Sequence, residues 1–435
     1  MIRHIDPIAK LCGQVRLPGS KSVTHRALLI AALADGESCV RNPLRAEDTL
    51  LTARALEQLG VELLWELDFV RVRPPRWRWS QLAAPLQLGN SGTSMRLLAG
   101  FLAAGRGRFV LDGTDRLRER PIGPVLEALA GQGVRGYFLG QTGYPPVEMV
   151  TDGLQGGEIE IDARQSSQFL SSILVVAPCA PRDMVVSWLE PVASLPYVHL
   201  TLAMLEQWGV TYQWLGPNRV RIPAPQVYQA QDYLVEGDCS SASYWWAAAA
   251  ITGGEIVTAP VTSAALQGDC RFLEVLERMG CAIHWEGEGV RVRGPERLQV
   301  LDLDMNSMPD MVPTLAVVAA FADGTTRIRN VAHLRIKESD RIAVVAMELG
   351  KLGVVVEELP DGLVIRGGGA QGAAIESHND HRIAMAFAVA GLRVPGITVL
   401  GAEAVAKSYP DFWDEFARIA QPNGLVIGRQ QVRCG

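Results

Sequence analysis

The chain has 435 residues, more than one hydrophobic core normally serves, so two large domains are expected. Its composition, 48% hydrophobic and 20% charged, is that of a globular protein, and a formal net charge of −6 argues against a nucleic-acid or anionic-membrane partner. Seven scattered cysteines without Cys-x-x-Cys spacing argue against a zinc site or a disulfide framework and fit a reducing compartment.

From the N-terminus onward, Met1 to Pro7 offers no apolar stretch for a secretion signal. The longest apolar runs, such as Tyr244 to Ile251, fall far short of the roughly 20 residues of a membrane span. A soluble, cytoplasmic chain is expected. Polar clusters then open strongly apolar runs along the whole sequence. They are Ser20-Lys21-Ser22 before Ala27–Ala34, Asn90-Ser91-Gly92-Thr93 before Arg96–Ala103, and Ser166-Ser167-Gln168 before Phe169–Ala177. They continue with Asp238-Cys239-Ser240-Ser241 before Tyr244–Ile251, Asn306 to Asp310 before Leu315–Ala322, and Asn379-Asp380-His381-Arg382 before Ile383–Ala390. Each cluster supplies N-cap residues, and a helix apolar nearly all round belongs in a core.

A second series lies between the first. Leu56 to Gly60-Val61, Leu129 to Gly133-Val134, Leu205 to Gly209-Val210, Leu276 to Gly280-Cys281 and Leu349 to Gly353-Val354 read as helices stopped by a C′ glycine and followed by a strand. The glycines stand between 71 and 76 residues apart, and a degenerate sixth copy is expected to end near Gly424. The spacing predicts an α/β protein of six units, each with a buried helix, an amphipathic helix and several strands, arranged as two domains of three. Helix N-termini carry partial positive charge and unpaired N–H groups, so capped ends that converge make an anion site.

The charged residues sit at those ends. Of 41 basic residues only five are lysine, and Lys21, Lys337 and Lys407 each fall in a candidate motif, whereas Lys10 and Lys351 do not. In Leu17 to Arg26, Ser22 and Arg26 share a helix face with Lys21 at the tip, an arrangement suited to a phosphate or carboxylate; the glycine–lysine spacing is not that of a P-loop. Gly92 in Leu88 to Arg96 would let a ligand approach the backbone. Arg120 before the rigid Pro121 is a candidate anion ligand. Lys337 and Arg341 share a face beside Glu338, and Arg382 follows a His378-to-His381 segment that lacks a third metal ligand, so no metal is expected.

Taken in order, Leu17–Leu28, Leu88–Arg96, Glu119–Pro121, Ser166–Phe169, Asp304–Asp310, Lys337–Arg341, Asn379–Arg382 and Ala406–Pro410 resemble the segments of the 5-enolpyruvylshikimate-3-phosphate synthase family. The resemblance spans the chain. It implies two domains, each of three βαβαββ units around buried parallel helices, with crossovers near Gly13 and Gly237: residues 1–13 and 237–435 in one, 14–236 in the other, and the active site in the cleft between them. It implies a shikimate 3-phosphate site of Lys21, Ser22, Arg26, Ser166, Ser167, Gln168, Ser194, Tyr197, Asp310 and Lys337. It implies a phosphoenolpyruvate site of Lys21, Gly92, Arg120, Gln168, Arg341, Arg382 and Lys407, with Lys21, Asp310 and Glu338 catalytic. No cofactor or metal is implied, the partners are the two small substrates, and the chain is expected to act as a monomer. Two departures stand out. His333 occupies a position where many members have Asn, and Leu97 one where many have Pro, beside the pocket that the inhibitor glyphosate shares with phosphoenolpyruvate in this family. The rival readings are the sister family that transfers enolpyruvyl to UDP-N-acetylglucosamine, whose customary cysteine is missing from Leu111–Pro121, and a non-catalytic sugar-phosphate binder on the same repeat.

Overall fold

The computed structural model describes residues 1–75, 79 and 82–420; the repeat end expected near Gly424 lies outside them. The chain divides into two compact units, one made of Met1–Pro18 with the chain from Glu236 onward, the other of Gly19–Val235. The first crossing falls later than Gly13. The reason is that the strand Cys12–Arg16 stays in the first unit, paired in parallel with Glu255–Ala259.

One sheet pattern recurs among the described residues. A parallel pair is extended by an antiparallel hairpin. In the Gly19–Val235 unit the parallel pairs are Asp232–Leu234 with Ser38–Arg41, Leu86–Gln87 with Arg106–Asp112, and Gly157–Asp162 with Met184–Leu189. Each second strand then pairs antiparallel with Phe69–Arg73, Val147–Asp152 or Arg219–Ile222. The other unit repeats this for Glu255–Ala259 and for Thr325–Arg329, the latter beside Asp302–Asp304. Its third sheet differs. Ala374–Glu376 and Ile397–Leu400 are parallel, but the antiparallel strand is Ile2–Ile5 from the N-terminus.

The buried helices are Lys21–Ala31, Gly92–Ala103 and Ser167–Val176 in one unit, and Cys239–Thr252, Val312–Ala320 and His381–Gly391 in the other. Within each unit the three pack against one another. Every residue of Gly92–Ala103, Cys239–Thr252, Val312–Ala320 and His381–Gly391 is buried, so each Leu, Ile or Phe there contributes about 1.5–3 kcal/mol. Five begin with a side-chain cap: Ser20, Ser91, Ser166, Asp238 and Asp380 each accept a backbone N–H one turn in. The helix Val312–Ala320 has no side-chain cap and is entered through a 3-10 turn at Pro309–Met311. Asp310, expected among the caps, is therefore available for other contacts.

The five C′ glycines have left-handed backbones, with φ of 89° at Gly60, 83° at Gly133, 84° at Gly209, 105° at Gly280 and 77° at Gly353. In each copy the next N–H reaches back to the leucine five residues earlier, as in Val61 to Leu56 and Val354 to Leu349. This is the Schellman closure, which needs a residue tolerant of positive φ. Cys39, Cys179, Cys239, Cys270 and Cys281 are free thiols, as incidental cysteines should be.

Candidate active site

The polar residues at the capped ends cross from helix to helix within each unit, and the two units differ in character. In the Gly19–Val235 unit, Lys21 is the first residue of its helix and its Nζ lies 3.2 Å from Asp48, in the first turn of Glu47–Gln58. Arg26, one turn beyond Ser22, is 1% exposed. Its Nε donates to Thr201 Oγ1 at 2.8 Å, its Nη2 to Ser171 Oγ at 2.9 Å, and its Nη1 to the Ser22 carbonyl at 3.0 Å. The guanidinium also lies over the Tyr197 ring. No carboxylate is among its partners in the described residues. Burial lowers its pKa to about 10, which still leaves it charged at neutral pH.

Gln168 bridges two helices. Its Oε1 accepts from Arg96 at 2.9 Å and its Nε2 donates to Thr93 Oγ1 at 3.0 Å. Ser166 caps the same helix, and the N–H of Ser167 bonds the Ala193 carbonyl next to Ser194, itself buried with φ of 60°. Arg120 is buried and donates to the Asn90 carbonyl at 2.9 Å. Its guanidinium lies against the backbone of Gly92, so close that a Cβ there would fall 2.5 Å from Nη2. A methyl group there could be accommodated only by displacing that guanidinium.

In the other unit, carboxylates and cations are interleaved. Arg341, 1% exposed at the start of the helix Arg341–Lys351, donates from Nη1 to Asp310 at 3.0 Å and from Nη2 to Glu338 at 2.9 Å. It also makes two bonds to Asp380, at 2.8 and 3.1 Å. Arg382 donates from Nη2 to the second oxygen of Asp310 at 2.8 Å and approaches Ser240 and Tyr244. Lys337 stands 3.9 Å from Asp310. Burial alone would raise the pKa of Asp310, but Arg382, Lys337 and Arg341 outweigh it and hold the carboxyl well below the usual carboxylate range. For Arg341, burial opposes the charge and the three carboxylates more than restore it. His333 is buried beside these groups; burial, and then Lys337, push its pKa down to about 3, so its imidazole is neutral. Lys407 is buried at the end of a 3-10 turn that packs on the helix carrying Arg382.

All the expected residues of Lys21 to Tyr197 fall in one unit, and Asp310, Lys337, Glu338, Arg341, Arg382 and Lys407 in the other. Sequence reasoning passed over Asp48, Arg96 and Asp380 as partners. Asp380 and Arg96 lay inside flagged clusters but read as a cap and a helix residue; Asp48 carried no motif at all. His378 binds Glu348 and His381 adjoins Asp380, and no His, Cys, Asp and Glu group suited to a metal occurs among the described residues.

Repeated α/β units whose capped helix ends gather buried arginines, lysines and carboxylates define a protein that handles small, multiply anionic molecules. The fold is shared with the enolpyruvyl transferase NikO from Streptomyces tendae, at a TM-score of 0.79 and 19% identity over 95% of this chain and 96% of that one. The chain belongs to the EPSP synthase (3-phosphoshikimate 1-carboxyvinyltransferase) family, whose sequence model matches residues 5–416. A 3-phosphoshikimate 1-carboxyvinyltransferase of Syntrophobacter fumaroxidans is 56% identical over 421 residues, 96% of this chain and 100% of that protein. One from Nostoc punctiforme is 43% identical, covering 94% and 96% of the two chains. The EPSP synthase structure from Acinetobacter baumannii superposes with a TM-score of 0.79 at 31% identity, over 95% of this chain and 97% of that one.

Proposed function

We propose that the two clusters carry, between them, the reaction that membership of this family assigns to the chain. The enzyme transfers the enolpyruvyl group of phosphoenolpyruvate to the 5-hydroxyl of shikimate 3-phosphate and releases phosphate, a step of the shikimate pathway towards chorismate and the aromatic amino acids. The observation that carries the reading is Arg26, a buried cation surrounded by hydroxyls and carbonyls with no carboxylate among its described partners. Such a group calls for an anion from outside the chain. In this reading Arg26, Lys21, Ser22, Ser166, Ser167, Gln168, Ser194 and Tyr197 bind shikimate 3-phosphate together with Asp310 and Lys337. Arg341 and Arg382 take the phosphoenolpyruvate carboxylate, and Arg120 and Lys407, with Gly92, Lys21 and Gln168, its phosphate.

Two like-charged reactants approach only where cations offset their repulsion. The 5-hydroxyl oxygen then bonds to C2 while C3 gains a proton. The tetrahedral adduct loses phosphate and the C3 proton to give the enolpyruvyl ether. Asp310 is the base for the hydroxyl, and Glu338 and Lys21 serve proton transfer at C3. With both arginines on it, Asp310 is too weak a base. A substrate carboxylate that engages Arg341 and Arg382 loosens that hold and raises its basicity when the base is needed.

No helix among the described residues is long and apolar enough to cross a membrane, and we propose a cytoplasmic monomer. The test is phosphate release from purified protein with phosphoenolpyruvate and each of two acceptors. Release with shikimate 3-phosphate alone is expected. Release with UDP-N-acetylglucosamine would assign the sister activity, and binding without release would leave a sugar-phosphate receptor.

A further inference from the structure

The turn that delivers Arg382 is held at two points by a single helix. Arg341, in the first turn of Arg341–Lys351, bonds Asp380 at 2.8 Å. Two turns further along, Glu348 is 0% exposed, and its carboxylate accepts from His378 Nε2 at 2.8 Å, from the Glu376 N–H at 3.2 Å and from Lys351 at 2.7 Å. Positions seven apart share a helix face, so both grips come from one side of the helix.

The segment that is gripped has an unfavourable backbone. His378 and Asn379 have φ of 52° and 54°, consecutive left-handed conformations without a glycine. Such residues persist only where the surroundings over-determine them. Asp380 and Arg382 follow at once, and Arg382 meets Asp310 at 2.8 Å. A carboxylate buried this fully is costly unless bonded; Lys351 on its own helix supplies a cation, and the bonds to His378 and the Glu376 N–H tie it to the turn. We infer that Glu348 and His378 are positioning residues: their bond fixes the left-handed turn and so aims Arg382 at the carboxylate of phosphoenolpyruvate. The inference rests on the assignment of Arg382 to phosphoenolpyruvate.

The informative variant is His378→Gly, which relieves the left-handed backbone while cutting the tether. A purely structural His378 predicts equal or greater stability and unchanged kinetics. A tether predicts a KM for phosphoenolpyruvate about tenfold higher, with the KM for shikimate 3-phosphate, kcat and the melting temperature little changed. His378→Gln, which keeps an amide donor, is expected to restore the KM to within about twofold. Steady-state kinetics on the full enzyme, with Arg382→Ala alongside, decides the matter. The tether is overturned if Arg382→Ala raises the phosphoenolpyruvate KM while His378→Gly does not, if glutamine gives no rescue, or if both KM values rise together as the melting temperature falls. If neither Arg382→Ala nor His378→Gly moves the KM, the assignment of Arg382 fails first and the tether with it.

Discussion

A single missing methyl group sets the position of Arg120. Its guanidinium lies where the side chain of residue 92 would be, and a Cβ there would meet Nη2 at 2.5 Å. Gly92→Ala is therefore expected to displace the guanidinium and raise the KM for phosphoenolpyruvate about tenfold, with the melting temperature nearly unchanged. An unaltered KM in steady-state assays would remove Arg120 from the phosphate site. His333 is the residue whose titration should be visible. Its folded pKa, depressed to about 3 by burial and Lys337, lies below the ordinary value of about 6.5. Above the ordinary value the imidazole is neutral in both states and costs nothing. As pH falls through the window between the two, the unfolded chain takes a proton that the folded one refuses, so stability drops. His333→Asn should flatten that part of the stability profile in denaturant titrations from pH 7 to 4; a profile parallel to that of the unaltered protein would contradict the assignment. At this scale the sequence pointed to cations better than to their partners. Lys21, Arg120, Arg341 and Arg382 stood out as basic residues in polar clusters, whereas Asp48 and Glu348 lie within ordinary amphipathic helices. Their buried roles depend on contacts with segments 27 and 30 residues away in sequence, which no local pattern encodes.

The repeating elements were legible for a physical reason: a helix stop leaves a local signature. In the Schellman closure a residue that accepts positive φ follows the last turn, so glycine recurs at these five helix ends. Gly353 isolates that term, because an added Cβ would find its nearest neighbour, Gln371, at an ordinary 3.5 Å. Gly353→Ala should then cost about 1 kcal/mol from the backbone alone, read as a lower denaturant midpoint at unchanged slope. A neutral substitution would mean that the Val354–Leu349 closure does not hold the helix end. The element that departed from expectation is the fifth buried helix. A polar cluster of similar composition precedes it, but Pro309 and Pro313 direct the chain into a 3-10 entry and leave Asp310 to the arginines. Whether an aspartate caps a helix or serves a site depends on one turn of backbone, and composition does not distinguish the two.

The division into two units was visible in the repeat count, while the strand exchange at the crossings was not. Pairing across the chain leaves no periodicity. The Gly19–Val235 unit closes all three of its sheets with its own strands, including Asp232–Leu234 beside Ser38–Arg41. The other unit is built from two separate stretches of chain: two of its sheets take a strand from its N-terminal segment, Ile2–Ile5 and Cys12–Arg16. Residues 19–235 expressed alone should unfold cooperatively in urea with a defined circular dichroism spectrum, whereas residues 236–435 alone should aggregate through two uncovered strand edges. The reverse behaviour would mean that the N-terminal strands add little to the first unit.

The strand Cys12–Arg16 has a consequence for biosynthesis. It is synthesised before the whole of Gly19–Val235, and its neighbour Glu255–Ala259 only after it. The inserted unit has everything it needs to fold during translation, while the opening segment must wait without a partner. Folding is therefore expected to proceed from the middle of the chain outward, with the N-terminal strand edges uncovered until the last strands dock.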